Sequence, residues 1–116
     1  MRNDGVYLDH IAESIHRIEQ YLGGTSGAPD PRLFYEDPRT QDAVLRRLET
    51  ATDAASHLSA ALNARHPEIP WRQIGAFRNI LAHGYTDLDP DQAWQAVAND
   101  LTALRTVIDE ERGRSG

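Results

Sequence analysis

Apolar residues recur at three- and four-residue steps in four stretches of this chain, and strict apolar–polar alternation is found in none. That spacing is the period of a helix burying one face, so the pattern confines the chain to an all-α fold. In the first stretch Leu8, Ile11, Ile15, Ile18 and Leu22 share a face, and Gly23-Gly24 supplies the stop. The second runs from near Thr40 to about Ala64, with Val44, Leu48, Ala51, Ala55, Leu58 and Leu62 on one stripe whose central alanines let another helix approach closely. The third begins at Pro70, buries Trp71, Ile74, Phe77 and Leu81, and stops around His83, with Gly84 suited to the left-handed position beyond a helix end. The fourth starts at Asp89-Pro90-Asp91-Gln92, with Asp89 as N-cap, Pro90 in the first position and Gln92 reaching back as in a capping box. Trp94, Val97, Leu101, Leu104 and Ile108 then form its seam. Residues 23–38, rich in Gly, Pro and Asp, read as a long loop with short turns, pinned to the core by Leu33, Phe34 and Tyr35. The tail after Glu111 is polar and expected to fray. The expected architecture is an antiparallel bundle of four main helices in one domain, 1–116, with Trp71 and Trp94 as core anchors.

Composition narrows the chemistry. All 12 basic residues are arginine, which removes Schiff-base, P-loop lysine and Ser-Lys chemistries, each of which needs an amine. The absence of cysteine removes disulfides, a thiol nucleophile and thiolate metal sites. No apolar run approaches the roughly 20 residues that span a bilayer, and no secretory segment is seen near the start, so a cytoplasmic protein is expected. A formal charge of −6 argues against coating nucleic acid through an extended basic surface, though not against local positive charge in one cleft. An Ala-rich stripe and two tryptophans give a short four-helix chain more apolar face than one bundle hides, so a dimer is expected.

The residues richest in chemistry are Arg78-Asn79-Ile80-Leu81-Ala82-His83-Gly84-Tyr85. An imidazole can change charge near neutral pH, a guanidinium can lie beside a phosphorane as a fixed cation, and a phenol can orient a phosphate. On an unbroken helix Arg78 and Tyr85 lie nearly on one face and His83 points about 140° away, so a break at Gly84 is expected to re-aim His83 and Tyr85. Taken alone, the same residues also fit a surface cation, a helix-capping histidine and a half-buried aromatic. Asn79 is suited to a phosphate or a nucleobase, and equally to an exposed polar position with no ligand. Asp53 reads as a hydrogen-bonding residue that can orient His83 or Arg78, and Arg46-Arg47 as a solvated face or an RNA-backbone contact. His10 and His16 share no helical face, and His57 and His66 have no carboxylate partner at a metal-ligand spacing, so no metal site is signalled.

The spacing Arg, four residues, His, one residue, Tyr resembles the signature of the HEPN superfamily, and the flanking sequence resembles its HepT-like branch. The likeness runs from Tyr7 to about Ile108. Tyr7 to Ile11 and Ile15 to Leu22 resemble the family's first helix, and Asp42 to Glu49 its second. His66-Pro67-Glu68-Ile69-Pro70-Trp71 resembles the lead-in to the motif helix, and Trp94 to Leu101 the fourth helix. Thr52-Asp53-Ala54 stands where the family usually has Gly-Glu-Ala. The resemblance implies a homodimeric, metal-independent ribonuclease toxin of a type VII-like toxin–antitoxin module, needing no cofactor, with Arg78 and His83 catalytic and Asn79, Tyr85 and, weakly, Asp53 positioning RNA. It also implies a minimal nucleotidyltransferase (MNT) antitoxin that transfers AMP to Tyr85. Two other readings stand beside it: a non-catalytic helical module that binds or regulates a nucleotidyltransferase, and a purely structural helical dimer.

Overall fold

The computed structural model describes residues 3–23, 29–84 and 88–115, and these are helical with no strand. Helix α1, Asp4–Tyr21, buries Leu8, Ile11, Ile15 and Ile18, and Leu22 follows at 1% exposure. Gly23 then takes φ +110°, the left-handed turn at which a side chain is strained.

Three helices start on an Asp-Pro pair. Asp30, Asp37 and Asp89 each adopt extended backbone and accept the N–H two residues on, at 2.9, 3.1 and 2.9 Å, while the following proline needs no partner for an absent N–H. The first pair opens α2, Pro31–Glu36, inside the stretch expected to be loop. Phe34 does pin this stretch, being fully buried with its ring 5.6 Å from that of Trp94. Leu33 and Tyr35 stay exposed, although the Tyr35 hydroxyl donates to Asp91 at 2.5 Å. The second pair opens α3, Pro38–Ser56, two residues ahead of the expected start. At Asp89 the aspartate alone makes the cap; among the described residues the Gln92 side chain makes no return bond.

The second expected helix is broken in two. After α3 the chain turns at His57, and α4, Ala60–Arg65, begins with Ser59 as N-cap. Ser59 Oγ accepts the Leu62 N–H at 3.1 Å, and Asp4 accepts both the Ser59 N–H, at 2.8 Å, and its hydroxyl, at 2.7 Å. A carboxylate from the other end of the sequence thus holds Ser59 in extended backbone, and Leu58 and Leu62 remain buried on either side of the break.

Helix α5, Trp71–Ala82, buries Ile74, Phe77 and Leu81, with Pro70 as its N-cap residue. Trp71 is half-buried and donates its indole N–H to the His66 carbonyl at 2.9 Å. Gly84 has φ +101°, as its place beyond the helix end requires. The fourth expected helix has three parts: α6, Pro90–Gln95, a π-helical turn over Ala96–Asp100, and α7, Leu101–Ser115. Helix α7 continues past Glu111, and Arg112 reaches Asp9 of α1 at 2.6 Å.

Contacts run α5–α3–α1–α7, with α2 against α3 and α6. Ala51, Ala54 and Ala55, all buried, let the backbone of α3 come close to its neighbours. This leaves the motif helix α5 docked on α3, the helix that carries Asp53. No described helix is long and apolar enough to cross a membrane.

Candidate functional site

Between α3 and α5 lies a cleft of about 240 Å³ lined by Arg46, Glu49, Thr50, Asp53, Arg78 and Ala82. Arg78 lies along it, its Nε–H and Nη2–H both donating to Asp53 Oδ1 at 3.2 and 2.9 Å. Its Nη1–H donates to Asn79 Oδ1 at 3.2 Å. Of the five N–H donors of a guanidinium, these bonds leave two, on a side chain still 38% exposed. Such a group is aimed and still able to take an anion. Asp53 therefore orients Arg78 and not His83. Its second oxygen, Oδ2, faces His57 Nε2 at 3.9 Å, and the His57 ring stacks on Tyr7 with centroids 5.0 Å apart. Arg46 lines the cleft and stands 3.8 Å from Glu49; Arg47 is not among its lining residues.

His83 ends α5. Its backbone N–H donates to the Asn79 carbonyl at 3.2 Å, and its ring Nδ1–H donates to the same oxygen at 2.6 Å. A carbonyl only accepts, so the bond fixes the tautomer: in the neutral ring Nε2 carries the lone pair. Asn79 is thus the hub of the motif, its side chain steadying Arg78 and its main chain steadying His83.

The expected re-aiming of His83 at Gly84 does not occur. His83 has φ −93° and ψ 9°, close enough to helical that it leaves α5 about 140° around from Arg78, and the ring folds back on the turn before it. Within one chain, Arg78 points into the α3 cleft and His83 does not line it. Tyr85, the third motif residue, lies outside the described residues. His10 and His16 are exposed on α1.

A second cluster was not foreseen. His66 and Glu111, 4% and 6% exposed, meet with His66 Nε2 2.6 Å from Glu111 Oε2. Arg65 donates to the same carboxylate at 2.7 and 3.2 Å, and Glu110 and Glu68 stand 3.4 and 3.5 Å from His66 Nδ1. Bonding to Arg65, and then to His66, holds the Glu111 carboxyl down at about 2. The signal available in the sequence was an acid on an apolar stripe: Glu111 falls three residues beyond Ile108 on the face of α7 that buries Leu104. No group of three or more described His, Asp or Glu residues is arranged to hold a metal ion.

Comparison with known proteins decides the kinship. Residues 11–111 match the family described as Ribonuclease HepT-like. The chain belongs to the HepT-like ribonuclease family. It is 33% identical over 106 residues to the "Probable ribonuclease HepT" of Thermococcus cleftensis, covering 91% of this chain and 93% of that one. It is also 33% identical over 109 residues to the "Gamma-glutamylcyclotransferase and putative RNase MJ0434" of Methanocaldococcus jannaschii, where it covers 93% of itself but only 47% of the relative. This HepT-like chain thus spans about half the length of the latter. No solved structure gives a significant match. The family match covers Asp53, Arg78, Asn79, His83 and Tyr85.

Proposed function

We propose that this HepT-like chain is a metal-independent ribonuclease, the toxin of a type VII-like HEPN/MNT module, acting in the cytoplasm as a homodimer of antiparallel four-helix bundles. His83 Nε2 takes the proton of a ribose 2′-hydroxyl, and the 2′-oxygen attacks the adjacent phosphorus. The bond to the 5′-oxygen breaks and the imidazolium returns the proton to it, leaving a 2′,3′-cyclic phosphate and a 5′-hydroxyl. Arg78 stabilises the charge that gathers on the phosphorane oxygens. The observation that carries this reading is Asn79, which holds Arg78 through its side chain at 3.2 Å and sets the His83 tautomer through its carbonyl at 2.6 Å. Because the two groups diverge around α5 in one chain, a second copy that brings its own motif across a shared cleft completes the constellation. Tyr85 serves in positioning the phosphate. It is also the site to which a nucleotidyltransferase antitoxin transfers AMP from ATP, blocking the cleft by charge and volume.

The test is cleavage of RNA by the purified dimer in EDTA, with light scattering to establish the dimer. Activity that chelation abolishes and a divalent ion restores refutes the metal-free mechanism. Co-expression with an adjacent nucleotidyltransferase, then peptide mapping, is expected to find AMP on Tyr85 and none on Tyr85→Phe.

A further inference from the structure

A second cleft, of about 460 Å³, opens on the other side of α5, between it and the segment formed by α6 and the π turn. Its walls carry four primary amides, Gln73 on α5 and Gln92, Gln95 and Asn99 opposite, above a floor that includes Phe77. One acid, Asp100, reaches it from the last position of the π turn. Burial pushes the Asp100 carboxyl above its ordinary value, and no described residue donates a hydrogen bond to it. Its partly buried carboxylate still reaches solvent and stands open to donors from a ligand, and π turns are frequent at functional sites.

Two of the amides orient each other. Asn99 Nδ2–H donates to Gln95 Oε1 at 2.7 Å, which leaves the Gln95 amide N–H groups as donors and Asn99 Oδ1 as an acceptor at the rim. The cleft also lies on the side of α5 from which His83 emerges: Gln73, Ala76, Ile80 and His83 fall within roughly 80° of one another around the axis, and His83 stands about 10 Å along it from Ala76. A strand whose phosphate meets His83 can reach this cleft with a neighbouring base.

We propose that the cleft reads a single unstacked guanine of the RNA, Asp100 accepting its N1–H and N2–H while an amide N–H of Gln95 meets O6. Guanine is the standard base that offers two adjacent donors on its Watson–Crick edge, the pattern a carboxylate accepts as a pair, and single-stranded RNA exposes that edge. This assignment rests on the ribonuclease reading and deepens it.

The experiment measures fluorescence anisotropy of the full chain with non-cleavable 2′-O-methyl hexamers identical except for G, inosine, A or U at one position. Inosine lacks only the 2-amino group. The G hexamer is expected to bind about tenfold more tightly than the inosine hexamer, in line with the worth of a bidentate base contact. Asp100→Asn and Gln95→Ala are each expected to erase most of that preference, with the A and U hexamers within about twofold of the parent, as for loss of a contact specific to one base. Equal binding of G and inosine, a preference that survives Asp100→Asn, or no binding of any hexamer overturns the proposal. So does an Asp100→Asn chain that changes its oligomeric state and not its base preference, which would make the cleft a contact between copies. Cleavage of the matching 2′-hydroxyl RNA is scored separately: guanine preference without cleavage removes the nuclease reading and keeps the base site, and cleavage without preference does the reverse.

Discussion

Glu111 and Asp53 each hold an arginine and face a histidine, yet they stand in opposite settings. Glu111 is 6% exposed and has both oxygens engaged, one by Arg65 and the other by Arg65 and His66. Asp53 is 47% exposed; one oxygen takes both bonds from Arg78, and the other only faces His57 at 3.9 Å. The first cluster fastens α7 to the turn before α5 through a buried carboxylate that its partners cover. The second aims a cation into a cleft and leaves it donors for an anion. The same three residue types make a clasp when the carboxylate is buried and an aimed, solvent-facing cation when it is not.

The comparison is most exposed to failure at the motif. Arg78→Ala and His83→Ala are each expected to lower RNA cleavage by about 10²- to 10⁴-fold with far-ultraviolet circular dichroism unchanged; a variant as fast as the parent would end the assignment. At the clasp, Glu111→Ala leaves His66 and Arg65 without their buried partner and is expected to cost about 3–5 kcal/mol. Thermal melting should fall by on the order of 10 °C or more, while cleavage per folded molecule stays at the parent level. A stable Glu111→Ala chain with poor activity would reverse the two roles.

Acid sharpens the contrast. The folded Glu111 carboxyl titrates at about 2, below its ordinary 4.5, so its contribution is fully present above about pH 4.5 and is lost as pH falls toward 2. Melting temperature measured from pH 5 down to pH 2 should drop more steeply in the parent than in Glu111→Gln; parallel curves would show that this carboxylate is not held. The smallest effect is expected at Asp53. Asp53→Asn should change stability by no more than about 1 kcal/mol, as for an exposed pair, and lower cleavage by roughly tenfold, the scale of a lost orienting contact. The loss should appear in kcat more than in KM, since Arg78 is loosened but remains.

How far the sequence reveals these features depends on how far apart the partners lie along it. The apolar stripes were legible because helical burial repeats every three or four residues, and Gly84 because a helix end needs a left-handed residue. Asp30-Pro31 carries the same start signal as Asp89-Pro90, but six residues are too few for a periodic stripe, so α2 does not stand out from the loop around it. The break at Ser59 was hidden because the group that stabilises it, Asp4, lies 55 residues away. His66 and Glu111 are 45 apart, and neither shows a ligand spacing. Asp53 and Arg78, 25 apart, were linked only as one of several options. The direction of His83 is not legible from Gly84, because the ring is set by a carbonyl one turn back and not by the glycine after it.

The glycine after His83 is selected by torsion and not by space. Gly84 sits at φ +101°, and a Cβ built on it meets no atom of the described residues within 4 Å, so alanine there is opposed by the backbone torsion alone, worth about 1–2 kcal/mol. The Gly84 N–H donates to the Leu81 carbonyl at 3.3 Å, while the backbone and ring N–H groups of His83 converge on the Asn79 carbonyl. The helix end is thus tied off twice, and both ties are made by atoms that precede residue 85.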